Sequence, residues 1–112
     1  RITILMSETS VNEQQGGEVQ MPTDTTIRHA IQLAITSDRP IQMDYWLDSC
    51  VGNVIIGVRE LEDGTNEKLL VKSSDEYTSP VVKIYQVETE FIILTVNSTY
   101  IVRADIQKKK IS

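Results

Sequence analysis

Residues 81–106 read VVKIYQVETEFIILTVNSTYIVRADI, and this stretch decides the fold. It holds three short apolar runs rich in β-branched and aromatic residues, separated by Glu88-Thr89-Glu90 and Asn97-Ser98-Thr99. Apolar runs of this length, interrupted by two or three polar residues, predict an antiparallel meander of three strands. We therefore expect the rest of the chain to cover this meander or to extend it.

A helix over residues 25–37 is predicted upstream. Pro22 and the capping residue Thr23 announce its start, and Pro40 prevents its continuation. Apolar residues recur at the i, i+3, i+4, i+7 and i+8 positions of a helix, which predicts one apolar stripe packed on a sheet. The stripe consists of Ile27, Ala30, Ile31, Ala34 and Ile35.

Residues 41–48 alternate between apolar and polar side chains and predict a half-buried strand. One face carries Ile41, Met43, Tyr45 and Leu47, and the other carries Gln42, Asp44, Trp46 and Asp48. Two further strands are predicted at residues 54–61 and 68–72. They are joined by a hairpin at Asp63-Gly64, because Asp-Gly between apolar runs is a turn signal.

One helix followed by five or six short strands predicts a mainly β fold, a small SH3-like or Sm-like antiparallel barrel with the N-terminal helix packed on it. The 112 residues fit a single domain. Residues 1–6 form an expected first strand, 7–20 a flexible loop, 41–106 the barrel strands and 107–112 a basic tail. The expected core is Ile27, Ile31, Ala34, Ile35, Ile41, Met43, Tyr45, Ile56, Val58, Leu70, Ile84, Ile92, Leu94, Ile101 and Val102.

Composition limits the classes of function. The net charge of −5 disfavours a large nucleic-acid surface, because phosphates are met by Lys and Arg. No apolar run approaches the roughly 20 residues of a membrane span. A single cysteine, Cys50, forms no internal disulfide and, with no signal-peptide pattern, favours a cytoplasmic or other intracellular location.

Four residues are candidates for a binding surface: Trp46, Tyr77, Asp44 and Asp48. Trp46 interrupts the apolar alternation, so it is either covered by the helix or the N-terminal run, or marks a partner-binding patch. Asp44 and Asp48 share its strand face, a pattern also found in sugar-binding faces. Paired carboxylates can perform acid–base chemistry or bind a hard cation, although exposed strand faces carry acids by default.

No catalytic, cofactor or metal site is predicted. His29 is the only histidine, and no Cys or second His lies at metal-ligand spacing from it. It is also the only histidine base that a nucleophilic Cys50 could use, and a plain surface position is favoured for it. The acidic turn that ends in Gly64 lacks the distal Glu of a calcium loop. We therefore expect a protein that is not an enzyme.

Residues 30–46, AIQLAITSDRPIQMDYW, resemble the start of WYL domains, in which a helix leads into an Arg-Pro-Ile/Leu strand before an Sm-like or SH3-like barrel. Residues 100–106 are similar to the end of such a barrel. The Trp-Tyr-Leu signature and the ligand-reading arginines of that family are missing, so its nucleotide-sensing role is not carried over. Residues 72–80, followed by Ile84-Tyr85, are similar to short uncharacterised proteins of large DNA viruses.

The favoured function is a non-catalytic interaction or assembly module that uses its edge strands and loops to bind a protein partner or a second copy. The first alternative is a nucleic-acid or nucleotide binder, which requires Lys72, Lys83, Arg103 and the tail on one face. The second alternative is a hydrolase that uses Asp44 or Asp48.

Overall fold

A computed structural model of the chain describes residues 20–111, which contain two helices and seven strands. In chain order these are α1 (Asp24–Ser37), β1 (Ile41–Gln42), α2 (Trp46–Cys50), β2 (Ile55–Glu60), β3 (Asn66–Val71), β4 (Val81–Val87), β5 (Glu90–Thr95), β6 (Thr99–Arg103) and β7 (Gln107–Lys110). The strand expected at residues 1–6 and the loop expected at 7–20 lie outside the described residues, except for Gln20. The prediction of a mainly β fold with one main helix is confirmed.

The strands form two sheets. Sheet A has the order β1-β6-β5-β4, and sheet B has the order β3-β2-β7. The predicted meander is confirmed, because β4, β5 and β6 pair antiparallel in sequence. Two pairs, β1 with β6 and β2 with β7, are parallel, which differs from the all-antiparallel prediction. Within residues 20–111 the result is barrel-like, but the two sheets do not close into one barrel.

Sheet A is the middle of three layers. Ile92 and Ile101 pack with Trp46 and Ala30 of α1 on one face. Ile93 and Val102 pack on the other face, together with side chains of sheet B. Strands buried on both faces carry continuous apolar runs rather than an alternation, which explains the apolar character of β5 and β6.

The first turn of α1 is fixed to sheet A by the carboxylate of Glu90, a β5 residue that is only 4% exposed. The hydroxyl of Thr26 donates to Glu90 Oε1 at 2.5 Å, and the N–H and hydroxyl of Thr23 each lie 3.2 Å from the same oxygen. The N-terminus of a helix also carries the positive end of its dipole, which stabilises a carboxylate there. Glu90 therefore sets which side of α1 faces the sheet.

The predicted apolar stripe of α1 is only partly buried. The side of the helix that faces the sheet is centred on Thr26 and Ala30, which are both buried. Ile31 and Ile35 were predicted to lie in the core and are exposed, Ile35 by 74%. The predicted stripe takes account of apolar residues alone. The hydrogen bonds to Glu90 instead turn the side of the helix that carries Thr26 toward the sheet.

The predicted strand over residues 41–48 is wrong. The strand ends at Gln42, and the chain turns into α2, with the N–H of Trp46 bonded to the carbonyl of Met43 at 3.1 Å. A strand would send Tyr45 and Trp46 to opposite faces of one sheet. The turn instead buries both, Tyr45 between the two sheets and Trp46 beneath α1, and leaves Met43 exposed.

Other local predictions can be compared with the elements directly. The β2–β3 hairpin is confirmed, and Gly64 adopts a φ of 87° in its turn. Gln107–Lys110, predicted as part of a tail, forms the parallel strand β7.

The predicted core is confirmed in part. The predicted members that are buried are Tyr45, Ile56, Leu70, Ile92, Leu94, Ile101 and Val102. The buried residues that the prediction missed are Ala30, Trp46, Val54, Leu69 and Ile93. The remaining predicted members, Ile27, Ala34, Ile41, Val58 and Ile84, are half-buried.

Replacing Thr26 by Val should lower the free energy of unfolding by about 1–3 kcal/mol, because the buried Glu90 carboxylate loses a hydrogen bond that water cannot replace. Urea denaturation of both proteins measures the difference. Thr25→Val, an exposed position on the same turn, is the matched control and should change stability by no more than about 0.5 kcal/mol. Equal losses in the two variants would contradict the role assigned to Glu90.

Candidate functional site

The outer face of sheet B forms the floor of an open cleft of ≈ 930 Å³. Ile56 and Leu70 point from this sheet into the core, so the residues that alternate with them in β2 and β3 point outward. These outward residues give the cleft an apolar floor, which is completed by a residue that follows β7. The floor consists of Ile55, Val71 and Ile111, with Leu69 beneath them at 2% exposed.

Gly57 allows the side chain of Ile111 to lie against β2. A Cβ atom at Gly57 would stand 2.8 Å from Cδ1 of Ile111 and 3.0 Å from Cγ2 of Val71. The N–H of Ile111 donates to the carbonyl of Val58 at 2.8 Å, which extends the parallel ladder of β7 by one residue. The absence of a side chain at Gly57 therefore joins β7 to the cleft.

The rim of the cleft is formed by the connection between β3 and β4, which folds back on β3. The N–H of Thr78 donates to the carbonyl of Leu70 at 2.9 Å, and the N–H of Lys72 donates to the carbonyl of Glu76 at 2.9 Å. An isolated bridge pairs Tyr77 with Val71. These bonds hold Tyr77 at the rim of the cleft with 55% of its surface exposed.

Charged side chains at the cleft form two ion pairs, and the cleft is also lined by Glu76, which is in neither of them. Lys72 Nζ lies 3.2 Å from Asp48 Oδ2 and 4.6 Å from the centre of the Tyr45 ring. Arg59 of β2 forms an ion pair with Glu67 of β3. Such partly exposed pairs contribute little to stability, but each cancels the charge of its own members, which favours an apolar or amphipathic ligand at this part of the cleft.

The structure brings two of the four predicted site residues together. Asp48 and Tyr77 both line the cleft. Trp46 is 3% exposed, and its indole N–H donates to the carbonyl of Gln20 at 2.8 Å. Trp46 is therefore covered, as one of its two interpretations expected, and its ring offers no open surface to a partner. Asp44 is exposed but does not line the cleft.

The side chains that the sequence suggested for catalysis do not lie together in one site. Burial raises the pKa of the Cys50 thiol, which disfavours the nucleophilic thiolate. His29 is exposed on α1, and Asp48 is held in its ion pair with Lys72. Among residues 20–111, no group of three or more His, Cys, Asp or Glu side chains is arranged to hold a metal ion.

The cations of the nucleic-acid alternative lie on different elements. Lys72 is in the cleft of sheet B, whereas Lys83 lies on β4 of sheet A, 5.4 Å from the centre of the Tyr85 ring. Arg103 ends β6 and is paired with Asp105 at 3.4 Å. These three cations therefore do not gather on one face, as binding of a nucleic-acid backbone requires, and the lysines of the predicted tail lie on β7 of sheet B.

Most of the cleft was not anticipated from the sequence, including its apolar floor and Arg59. Ile111 follows three lysines and reads as the end of a polar tail, and Arg59 sits in an ordinary strand. A signal for Ile111 existed, because a lone apolar residue after a charged run can mark a continuing strand. Gly57, in the middle of the predicted strand at residues 54–61, was a second signal, since Gly inside a strand marks close approach of another segment.

Comparisons with known proteins add no assignment. Neither a protein-family model, nor a curated protein, nor a solved structure matches this chain. The resemblances to WYL domains and to proteins of large DNA viruses therefore stay predictions. Within the part of the chain that the structure describes, no helix is long and apolar enough to cross a lipid bilayer.

Replacing Gly57 by Ala should push Ile111 away from β2, lower the free energy of unfolding by about 1 kcal/mol and speed amide exchange at Ile111. Chemical denaturation and hydrogen exchange measure the two effects. The control is the same substitution in an Ile111→Ala background, where the added methyl group has more room and should cost less. An equal cost in both backgrounds would show that Ile111 does not depend on Gly57.

Stability should fall between pH 10 and 12 because of Tyr45. Burial first, and then the nearby Tyr100 and Asp44 charges, raise the pKa of Tyr45 from 10.0 to about 12. The folded state therefore keeps its proton over a range in which the unfolded state has lost it, and this contribution is complete below pH 10.0 and lost as the pH rises through about 12. Its size is about 2–3 kcal/mol.

Denaturation of the wild type and of Tyr45→Phe at several alkaline pH values measures this effect. The variant should show a smaller fall in stability, although the raised pKa of Tyr100 leaves part of it. If the two proteins lost stability to the same extent, the phenol of Tyr45 would not be the group responsible.

Proposed function

We propose that this protein is a non-catalytic interaction module that holds an extended segment of a protein partner against the outer face of sheet B. The observation that carries the proposal is the open cleft of ≈ 930 Å³, whose apolar floor lies between the exposed Tyr77 and the edge strand β7. Contiguous apolar surface with a polar rim is typical of sites at which proteins associate.

An extended segment suits this surface because a sheet edge adds backbone hydrogen bonds to the contacts of an apolar groove. Tyr77 would supply a large and largely rigid contact at the rim, of the kind that dominates binding energy at protein interfaces. The hydroxyl-bearing Ser73 and Ser74 on the same rim supply adaptable polar contacts. Self-association of two copies would use the same features and is the first alternative occupant.

The other two functions have less support. Nucleic-acid binding would need cations gathered on one face beside an open aromatic ring. Trp46 is buried, and of Lys72, Lys83 and Arg103 only Lys72 shares the cleft with the exposed Tyr77. Hydrolysis by Asp48 would need a second group beside it to act as acid or nucleophile, and its neighbour is the cation of Lys72.

The proposal includes a relationship of this fold to known small barrels. One helix before a series of short strands supports a relationship with SH3-like and Sm-like barrels and agrees with the resemblance to WYL domains. An intracellular setting is supported by the single cysteine, which is a free thiol.

Selection from a library of random linear peptides on the full 112-residue chain tests the proposal. Selected peptides should bind the Tyr77→Ala variant about tenfold more weakly, because the variant loses the rim contact. They should bind Val82→Ala unchanged, since Val82 is equally exposed but lies on β4 of sheet A.

Enriched peptides that bind both variants equally would place the interaction elsewhere, and a library without any enrichment would count against the module. Light scattering, with and without single-stranded nucleic acid, tests the alternative functions. A gain of mass only with single-stranded nucleic acid at low salt would overturn the proposal in favour of nucleic-acid binding.

A further inference from the structure

We propose that the segment captured by this module is acidic and adds to the outer edge of β7 as a further strand of sheet B. This inference rests on the proposed function and specifies the chemistry of its partner. It is carried by two independent features of β7, the direction of its backbone groups and the charge of its side chains.

The backbone of β7 leaves a row of hydrogen-bonding groups open. Ile111 donates to Val58, and the parallel register pairs Val58 with Lys110. Residues alternate in direction along a strand, so the N–H and C=O groups of Lys109 point to β2, like the N–H of Ile111, whereas those of Lys108 and Lys110 point away. In the sheet formed by residues 20–111, β7 is an edge, and these groups have no strand beside them.

The side chains of β7 select the charge of an added strand. Lys108, Lys109 and Lys110 are consecutive and exposed in a chain whose net charge is −5. Lys110 lies 3.8 Å from Glu60, and neither Lys108 nor Lys109 forms an ion pair with any residue that the structure describes. Opposite charges on adjacent strands stabilise their pairing, whereas like charges oppose it.

The two faces of β7 predict an alternating pattern in the partner. Lys108 and Lys110 share a face with Val58 and line a shallow recess with Glu60 and Asn66, where acidic side chains of the partner would lie. The other face carries Lys109 and then Ile111, so apolar side chains of the partner would lie beside Ile111, at the margin of the apolar floor of the cleft. An extended segment with acidic and apolar residues in alternation satisfies both faces.

Other occupants satisfy fewer of these features. The β7 strand of a second copy would bring three lysines against three lysines, which like-charge repulsion disfavours. A nucleic-acid backbone would use the lysine charges but not the outward backbone groups or the apolar floor. Lysines on an edge strand also prevent aggregation, and this protection repels basic or neutral strands while leaving the edge open to an acidic one.

Fluorescence anisotropy with a labelled peptide of alternating Val and Glu tests the inference on the full chain. The peptide should bind, and the Lys108→Glu/Lys110→Glu double variant should bind it about tenfold more weakly because attraction becomes repulsion. The matched control is Lys83→Glu, a charge reversal on the edge strand β4 of the other sheet, which should leave the affinity within about twofold.

Methylation of the peptide nitrogens separates strand addition from charge attraction without altering the protein. Methyl groups on alternate residues remove the N–H donors of one side of the peptide strand. One methylated set should abolish binding, and the complementary set should leave it unchanged. Equal binding of both methylated peptides would show attraction by charge alone and overturn the proposed strand addition.

The outcomes separate this inference from the function on which it rests. If the random library yields ligands that depend on Tyr77 while the Val–Glu peptide does not bind, the acidic strand is wrong and the interaction module stands. If neither binds, both proposals fail. Binding of single-stranded nucleic acid that depends on Lys108, or a dimer that the β7 double variant dissociates, would assign the edge to that occupant and overturn the inference.

Discussion

Strands β5 and β6 bury their side chains on both faces, so sheet A requires a covering layer on each side. Ile92 and Ile101 need α1 and Trp46 above them, and Ile93 and Val102 need sheet B below. Each buried aliphatic side chain contributes about 1.5–3 kcal/mol relative to an exposed one. The position of both helices and of the second sheet follows from this demand, as does the turn that sends Tyr45 and Trp46 into different layers.

Layering also explains where the candidate cleft lies. Sheet B gives one face to the core, and among residues 20–111 no further layer covers its other face, which carries an apolar floor and a rim of polar loop residues. The buried Glu90 anchors α1 on the opposite side of the molecule, away from this floor. The helix and the cleft therefore occupy separate surfaces, and substitutions on one should leave the other intact.

Local signals made part of this structure predictable. Pro22 and Thr23 mark the start of α1, and Asp63-Gly64 marks the hairpin, because each acts through its own backbone or its nearest neighbours. The parallel pairings of β1 with β6 and of β2 with β7 join distant residues and leave no such signal. Of the site, Asp48 was predictable as a polar strand-face residue and Tyr77 as the aromatic of a polar connection, but Ile111 depends on Gly57, which lies about half the chain length before it.

The parallel pairing of β7 has a kinetic consequence. Strand β2 carries Ile55, Ile56 and Val58, and the backbone groups of Ile56 and Val58 are bonded on that side only once Gln107–Lys110 has arrived. During synthesis from the N-terminus, β2 emerges long before β7, and pairing across such a separation is slow because the loop must close first. For that interval the chain presents an aliphatic strand edge without its lysine-bearing neighbour, which is the arrangement most prone to aggregation. Strand β7, the last that the structure describes, is therefore also the one that ends this period of exposure.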